Sequence, residues 1–418
     1  MLVIVFLWEK KLQINYRLND KFDFGLFFAV LTMIAVGLMA IYSATQNTAM
    51  ERSNFDKQVI SLVVGIIVFF FMYSLPTGWI KAGAVPFYLV SLAALVAVLF
   101  MGRVVNGQRS WIYIGNFSFQ PAEMAKFGTV LVMAYYLTRE NIDIDNVKDL
   151  LKAIGIGALP VFLIFLEPDL GSSIVFFGFI LMMLFWKGIS LFGLFLVLSP
   201  GLVAVAALFG LGYVIGAFVF VTGMLIYFRK DLFFSLSIFA VNMVAAFSVD
   251  YLYGILSPHQ KRRIMSFIDP NSDPLGSGYN AIQAQIAIGS GGWFGKGYLS
   301  GNQTQLQYIP EQWTDFIFCV IGEEFGFVGS VALIAIYVFV FYRLLRHAEL
   351  ARDKFHSILI LGVFSIYFIH FVINVGMAIG IMPVIGIPLP FISYGGTALL
   401  INMAMLGLVF NIYRSHKE

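Results

Sequence analysis

The sequence predicts an all-α polytopic membrane protein with about twelve transmembrane helices and one large extracytoplasmic loop. Two observations predict this class. Apolar residues make up 60% of the 418 residues and charged residues only 12%, whereas roughly a quarter of a soluble protein is charged. Apolar runs near the ~20 residues that a bilayer-spanning helix needs also recur along the whole chain. Soluble enzymes, nucleic-acid binders and secreted disulfide scaffolds are therefore excluded.

The apolar runs follow one another closely, so we treat residues 1–418 as a single integral membrane domain. Only Lys187-Gly188, Gly210 and Arg229-Lys230-Asp231 separate the runs between 187 and 252. The predicted spans lie near 24–45, 57–75, 83–101, 122–138, 151–166, 171–186, 189–209, 211–228, 232–252, 316–342, 355–381 and 391–413.

The distribution of positive charge predicts which side each connection faces. An even number of spans puts both termini on one side, and most of the 26 Lys and Arg then fall on that side. By the positive-inside rule this side is the cytoplasm. The segments with unusual polar chemistry (102–126, 167–173, 253–315 and 382–397) then lie on or near the outer face. The protein is expected to work from the outside.

The first polar segment contains Arg109 and Trp111 and then Glu123 and Lys126. Glu123 and Lys126 are three residues apart, so they share a helix face and can pair. Ionisable groups at membrane depth are costly and indicate function. The alternatives are a helix-end pair that reaches the interface and, for Arg109 beside Trp111, an interfacial anchor.

The second polar segment, Glu167 to Ser173, places two carboxylates, Glu167 and Asp169, between two spans. Hydroxyl side chains open the following span. Such a segment can belong to a site, or it can be a tight turn in which Asp169 caps the next helix. The local sequence does not decide between the two.

The loop from about 253 to 315 is much longer than usual connections, and such loops tend to be functional or disordered. Its basic cluster, Lys261, Arg262 and Arg263, precedes an amphipathic stretch suited to the membrane surface. The cluster can bind anionic lipid headgroups or a lipid-linked pyrophosphate. Both interpretations stay open.

Asp315 lies where this loop enters the next span. Partial desolvation there would favour its use as a base, and the alternative is a helix cap. Glu323 and Glu324 follow two turns deeper and need partners if they are buried.

The last polar segment, 382–397, holds Pro383, Pro388, Pro390, Ser393 and paired glycines. It cannot form a regular helix. Non-helical backbone at membrane depth must line a cavity or be covered by protein. The segment is therefore predicted to form one wall of a site.

These five segments, in this order, resemble the SEDS family of bacterial cell-wall polymerases (shape, elongation, division and sporulation). The resemblance is most specific over Tyr279–Gly326 and Ile381–Thr397. It is stronger to the elongation members, with the division members as the close alternative. Two features depart from the family. Trp313 replaces the usual His, and twelve spans exceed the usual ten, with the extra pair expected within 187–252.

The resemblance implies the SEDS fold and peptidoglycan glycosyltransferase activity on lipid II, the lipid-linked disaccharide-peptide of the outer leaflet. It implies a multi-pass protein of the bacterial cytoplasmic (inner) membrane. The implied partners are a class B penicillin-binding protein acting as transpeptidase, other elongation-complex membrane proteins and membrane lipids, with no nucleic acid.

The resemblance also assigns residue roles. Asp315 falls on the family's essential aspartate, and Arg109, Glu123, Lys126 and Asp169 match residues around the same cavity. Asp315 is the expected general base, and Arg109, Lys126 or a divalent cation (Mg or Mn) would stabilise the departing pyrophosphate. Glu123 and Asp169 would orient Lys126 or, with Asp315, hold that cation.

The other expected substrate-binding residues are Lys261, Arg262, Arg263 and Ser393, and no further cofactor is expected. Two rival functions remain. One is a flippase or transporter of the lipid-linked precursor, which would suit the broken backbone near Pro388. The other is a non-catalytic scaffold for the transpeptidase.

Overall fold

The structure is a computed structural model and describes residues 21–47, 49–105, 107–115, 117–228, 232–255, 261 and 277–415. The helices within these residues are α1 Phe24–Thr45, α2 Ala49–Ser74, α3 Thr77–Met101, α4 Pro121–Leu137, α5 Val147–Leu166, α6 Leu170–Lys187, α7 Leu191–Phe209, α8 Leu211–Phe228, α9 Leu232–Ile255, α10 Ser277–Ser290, α11 Asn302–Gln305, α12 Ile317–Leu350, α13 Lys354–Ala378 and α14 Gly396–Ser415.

Each of the twelve predicted spans coincides with one of the long helices α1–α9 and α12–α14. Among the described residues, nine helices are long and apolar enough to cross a membrane. The exceptions are α4, which has 17 residues, and α7 and α9, whose apolar stretches are shorter. The prediction of a polytopic helical membrane protein is confirmed.

The structure also contains a small antiparallel sheet that the all-α prediction lacked. Its strands are β1 Arg103–Val105, β2 Gln108–Ile114 and β3 Phe117–Phe119, in the order β1-β2-β3. Arg103 lies opposite Trp111, and Ile112 lies opposite Phe119. The strands fill the connection between α3 and α4, where backbone hydrogen bonds between strands replace those of a helix.

Helix α13 lies at the centre of the fold and is buried along most of its length. It packs against α4, α6 and α12. Helices α7, α8 and α9 pack chiefly against one another, around a separate cluster that includes Val203, Val221 and Ile238. This three-helix group spans the region in which the extra pair of helices is expected.

The predicted break in the last span is confirmed. No regular helix forms between α13 and α14, and α14 begins at Gly396, five residues later than predicted. The segment is held by protein contacts, as non-helical backbone at membrane depth requires. The Ser393 hydroxyl accepts from the Leu389 amide and donates to the Thr314 carbonyl. The Tyr337 hydroxyl donates to the Pro390 carbonyl.

The buried carboxylates of α12 fasten the loop that precedes this helix to the helix bundle. Glu323 accepts from the amides of Gln303 and Thr304, both at 2.9 Å, and pairs with Lys296 at 2.8 Å. Glu324 accepts from the Ser43 hydroxyl of α1. These contacts supply the partners that two buried glutamates need, and they hold the chain that leads into Asp315.

Candidate active site

One cavity of about 450 Å³ brings four of the predicted site residues together. Glu123 and Lys126 of α4, Asp169 at the start of α6 and Asp315 before α12 all line it. Residues Ile385–Pro388 of the non-helical segment form one wall, as the sequence predicts. Strands β2 and β3 form another wall. The cavity therefore unites segments that lie up to 280 residues apart in the sequence.

Asp315 is half-buried in the turn that precedes α12. Its amide donates to the Glu311 carbonyl at 3.2 Å, and its carbonyl accepts from Asn374 Nδ2 at 2.9 Å. The N-cap residue of α12 is Phe316, so the capping alternative for Asp315 is wrong. The backbone on both sides of Asp315 is thus fixed to neighbouring segments while the side-chain position lines the cavity.

Glu123 and Lys126 form the ion pair that their spacing predicts, with 2.7 Å between Lys126 Nζ and Glu123 Oε1. Both side chains are buried, and Lys126 is 1% exposed. Lys126 Nζ also lies 2.9 Å from Nε2 of His370 on α13. The interfacial alternative for this pair is wrong, because both side chains are buried inside the protein and line the cavity.

Asp169 combines the two roles that its sequence context leaves open. It caps α6, with Oδ1 accepting from the Ser172 amide at 3.0 Å and Oδ2 accepting from the Ser172 hydroxyl at 2.8 Å. It also lines the cavity, and Gln120 Nε2 reaches its Oδ2 at 3.4 Å. Asp169 therefore presents a fixed carboxylate to the cavity.

Arg109 and Ser393 do not line this cavity. The exposed Arg109 guanidinium donates to the Leu99 carbonyl in the last turn of α3, where unpaired helix carbonyls attract cations. Ser393 is occupied by its bonds to Leu389 and Thr314 and so supports the wall behind Asp315. Neither side chain is placed for contact with a ligand in the cavity.

Of the basic cluster in the long loop, only Lys261 belongs to the described residues, and it does not line the cavity. Arg262 and Arg263 lie outside the described residues. Lys261 donates to the Gly254 carbonyl at 3.1 Å, close to the end of α9. The roles expected for these three cations stay predictions.

Three kinds of cavity residue escape the sequence reasoning. His370 lies in an apolar span, where the rule that ionisable groups at membrane depth indicate function would have found it. Lys57 of α2 also lines the cavity, at a position that resembles an ordinary span end. Aromatic residues of the sheet, Trp111, Tyr113 and Phe117, complete the lining. Their hairpins were missed although Asn106-Gly107 and Gly115-Asn116 are hairpin turn signals.

Two further carboxyls near the cavity have perturbed acidities. Burial, followed by the neighbouring Asp169, raises the pKa of Glu167 to about 8. Glu167 is fully buried, and no described residue meets hydrogen-bond geometry with its carboxylate oxygens, although the nearby Ser110 hydroxyl opposes the shift. Burial and then Glu51 raise the pKa of Glu311, which lines the cavity. In both carboxyls, burial favours the protonated form.

Two of the three carboxylates that are expected to hold a divalent cation already have partners in the structure. Glu123 Oε1 is occupied by Lys126, and both Asp169 oxygens accept from Ser172. Within the described part of the chain, no group of three or more His, Cys, Asp or Glu side chains could hold a metal ion. The cation-holding roles expected for Glu123, Asp169 and Asp315 stay predictions.

Fold and site together define a class: a polytopic membrane protein with a charged cavity built from helix ends, a small sheet and broken backbone. Comparison with known proteins makes this class specific. The family model for FtsW, RodA and SpoVE, described as cell cycle protein, matches residues 24–214 and 195–418. The chain belongs to this family.

Similar curated proteins support the assignment over almost the whole length. Peptidoglycan glycosyltransferase MrdB of Escherichia coli (strain K12) is 33% identical over 93% of this chain and 92% of its own. Peptidoglycan glycosyltransferase RodA of Treponema pallidum is 33% identical over 94% and 98%. A probable peptidoglycan glycosyltransferase FtsW of Saccharophagus degradans is also 33% identical, over 94% and 92%.

Solved structures share the fold. A chain from a peptidoglycan synthase complex that coordinates polymerization and crosslinking matches with a TM-score of 0.71 and 28% identity, covering 94% of this chain and 98% of that one. The rod shape determining protein RodA of Thermus thermophilus matches with a TM-score of 0.63 and 26% identity, covering 95% and 98%.

Proposed function

We propose that this chain is a peptidoglycan glycosyltransferase that polymerises lipid II into glycan strands for cell elongation, acting at the outer face of the bacterial cytoplasmic membrane. The names of its relatives support the activity. The observation that carries the proposal is the cavity that contains Asp315 together with Lys126, Glu123 and Asp169. One carboxylate is then available as a base and one buried cation as an electrostatic partner.

The proposed reaction needs a base and a positive charge. Asp315 takes the proton from the acceptor 4-hydroxyl while the oxygen of that hydroxyl attacks the anomeric carbon of the donor sugar. The bond to the lipid pyrophosphate breaks, and the configuration at that carbon inverts. Negative charge grows on the departing pyrophosphate, and a preorganised cation stabilises it in the transition state.

Lys126 is our candidate for that cation. Its pairing with Glu123 keeps an ammonium charge at a depth where an isolated charge is costly. Asp169 lines the same cavity, and its orientation is fixed by Ser172. Lys57, which lines the same cavity, provides a second cation for the diphosphate in place of Arg109. The aromatic residues of β2 and β3 offer apolar surface to sugar rings.

We further propose that the chain works beside a class B penicillin-binding protein, which supplies crosslinking. The similarity to a chain of a peptidoglycan synthase complex supports a partner of this kind. Elongation rather than division rests on the resemblance of the loops. Both termini are proposed to face the cytoplasm, because the basic residues concentrate on that side.

The test is glycan-chain formation from lipid II by the purified protein with its partner. Asp315→Asn removes the base but keeps the side-chain size, so chain formation is expected to fall by roughly 100-fold or more. Asp56→Asn is the matched control, because Asp56 is an exposed aspartate of α2 that does not line the cavity. Its activity is expected to equal that of the wild type.

The outcomes separate the candidate functions. Full activity of Asp315→Asn would remove Asp315 from the mechanism. No chains from the wild type with its partner present would reject the polymerase and favour a flippase or a scaffold.

A further inference from the structure

His370 of α13 is a buried histidine whose two ring nitrogens both have partners. It is 4% exposed and lines the cavity. Nδ1 lies 2.9 Å from the Pro388 carbonyl oxygen, and Nε2 lies 2.9 Å from Lys126 Nζ. An ionisable side chain at this depth, engaged on both sides, indicates a function.

The partners determine which nitrogen carries the proton. A carbonyl oxygen can only accept, so Nδ1 donates to Pro388 and Nε2 of the neutral ring is an acceptor. An ammonium has only donors, so Lys126 donates to Nε2. The hydrogen bonds therefore run in one direction, from Lys126 through His370 to the non-helical wall of the cavity.

This arrangement restricts Lys126. An ammonium has three N–H donors on a flexible four-carbon stem. One donor is directed to Glu123 Oε1 at 2.7 Å, and a second is directed to His370. No described residue accepts from the third. Two fixed donors leave the third for a ligand in the cavity.

The same face of α13 also holds the segment that contains Asp315. Asn374 lies four residues after His370, which places both on one side of the helix. Its Nδ2 donates to the Asp315 carbonyl at 2.9 Å and to the Ile387 carbonyl at 2.7 Å. One helix face thus contacts both Lys126 and the turn of Asp315.

We propose that His370 is a positioning residue, which acts by accepting a hydrogen bond from Lys126 and so aiming the remaining N–H at the departing diphosphate. This inference rests on the proposed function. An interaction that strengthens only in the transition state affects kcat more than KM. Loss of the acceptor is therefore expected to lower kcat and leave KM for lipid II nearly unchanged.

The experiment compares two isosteric variants. In His370→Gln, the amide oxygen can replace Nε2 as the acceptor for Lys126. In His370→Asn, the amide nitrogen can replace Nδ1 as the donor to Pro388, but the acceptor is lost. We expect kcat of His370→Gln within about threefold of the wild type and kcat of His370→Asn about tenfold lower or more. Thermal midpoints of both are expected near that of the wild type.

His356→Gln, a histidine variant in the first turn of the same helix, is the matched control and should keep wild-type kcat. Equal kcat for the two His370 variants, or a larger loss in His370→Gln, would overturn the proposal. The proposal would also be overturned if both variants lost kcat equally and both had lowered thermal midpoints, because that result indicates that His370 acts through packing. The wild type is assayed before any variant is compared. If it makes no polymer, the proposed function itself is overturned, and this outcome differs from every outcome of the variant comparison.

Discussion

Asp315 and Lys126, the two side chains to which the reaction is assigned, are held in different ways. The backbone of Asp315 is fixed by Glu311 and Asn374. Lys126 is instead fixed through its own ammonium, by Glu123 and His370. Removing the lysine charge therefore also alters the environment of Glu123, and an experiment on Lys126 must separate the two effects.

Lys126→Met is expected to lower polymerisation by about 100-fold or more, because it removes the charge that we propose stabilises the departing pyrophosphate. The measurement is the rate of glycan-chain formation, with membrane insertion followed by yield and gel filtration. Lys152→Met is the control, since Lys152 is exposed and pairs only with Asp149 among the described residues. Its rate should not change.

The double variant Glu123→Gln with Lys126→Met separates the effect of the lost lysine charge on polymerisation from its effect on folding stability. Lys126→Met alone leaves Glu123 buried without its counter-ion, which destabilises proteins. The double variant should recover thermal stability but not activity. Unchanged turnover in Lys126→Met would return the pair to a structural role.

The raised pKa of Glu167 leads us to expect that the stability of the folded protein depends on pH. Its pKa is raised from 4.5 to about 8 in the folded protein, so folding favours the protonated form. This contribution is fully present below about pH 4.5 and is lost as the pH rises through 8. Glu167→Gln cannot ionise. Between pH 5 and 8, the thermal midpoint of the wild type should fall by a few degrees more than that of Glu167→Gln. Parallel curves would contradict the assignment.

At the scale of elements, α13 connects the parts of the site. Its face with His370 and Asn374 contacts α4, the turn before α12 and the non-helical wall. These contacts come from segments that are distant in sequence. The helix is buried along most of its length, so its orientation is set by packing on all sides.

Asn374→Leu is expected to lower the polymerisation rate about tenfold, because it leaves the Asp315 and Ile387 carbonyls without their donor and loosens the turn of Asp315. Ser365→Ala is the control, since Ser365 is buried on the same helix and its hydroxyl bonds only the Leu361 carbonyl among the described residues. Wild-type rates in both variants would show that Asn374 does not position Asp315.

The sequence predicts the spans well because the length of an apolar run is a local property. It also predicts the Glu123–Lys126 pair, since residues three apart on a helix are neighbours. The bond between Lys126 and His370 joins residues 244 positions apart, and no local pattern encodes it. The sequence also did not predict that the Arg109 side chain turns away from the cavity. Its guanidinium donates to the Leu99 carbonyl, which is free to accept only because α3 ends shortly after Leu99.

At the scale of the whole molecule, the cavity has a chemical role only if it faces the outside. Helices α1–α9 and α12–α14 place the sheet, the start of α12 and the non-helical wall at one end of the bundle. Glu323 and Lys296 tie the loop before α12 to the same end. The orientation of that end in the membrane is a prediction from the basic residues.

Cysteine labelling in intact spheroplasts tests this orientation. The native Cys319 is buried, so it should not react. Phe294→Cys replaces a side chain that is 82% exposed in the loop predicted to lie outside, and a membrane-impermeant maleimide should label it. Glu349→Cys, near the exposed end of α12, should react only after lysis. The reverse pattern would contradict the topology.

The most direct test of the central claim is the single-turnover rate of Asp315→Asn at saturating lipid II, measured beside its affinity for lipid II. If this carboxylate removes the acceptor proton, transfer should slow by roughly 100- to 10,000-fold while binding stays within about threefold of the wild type. A wild-type transfer rate in this variant would contradict the account.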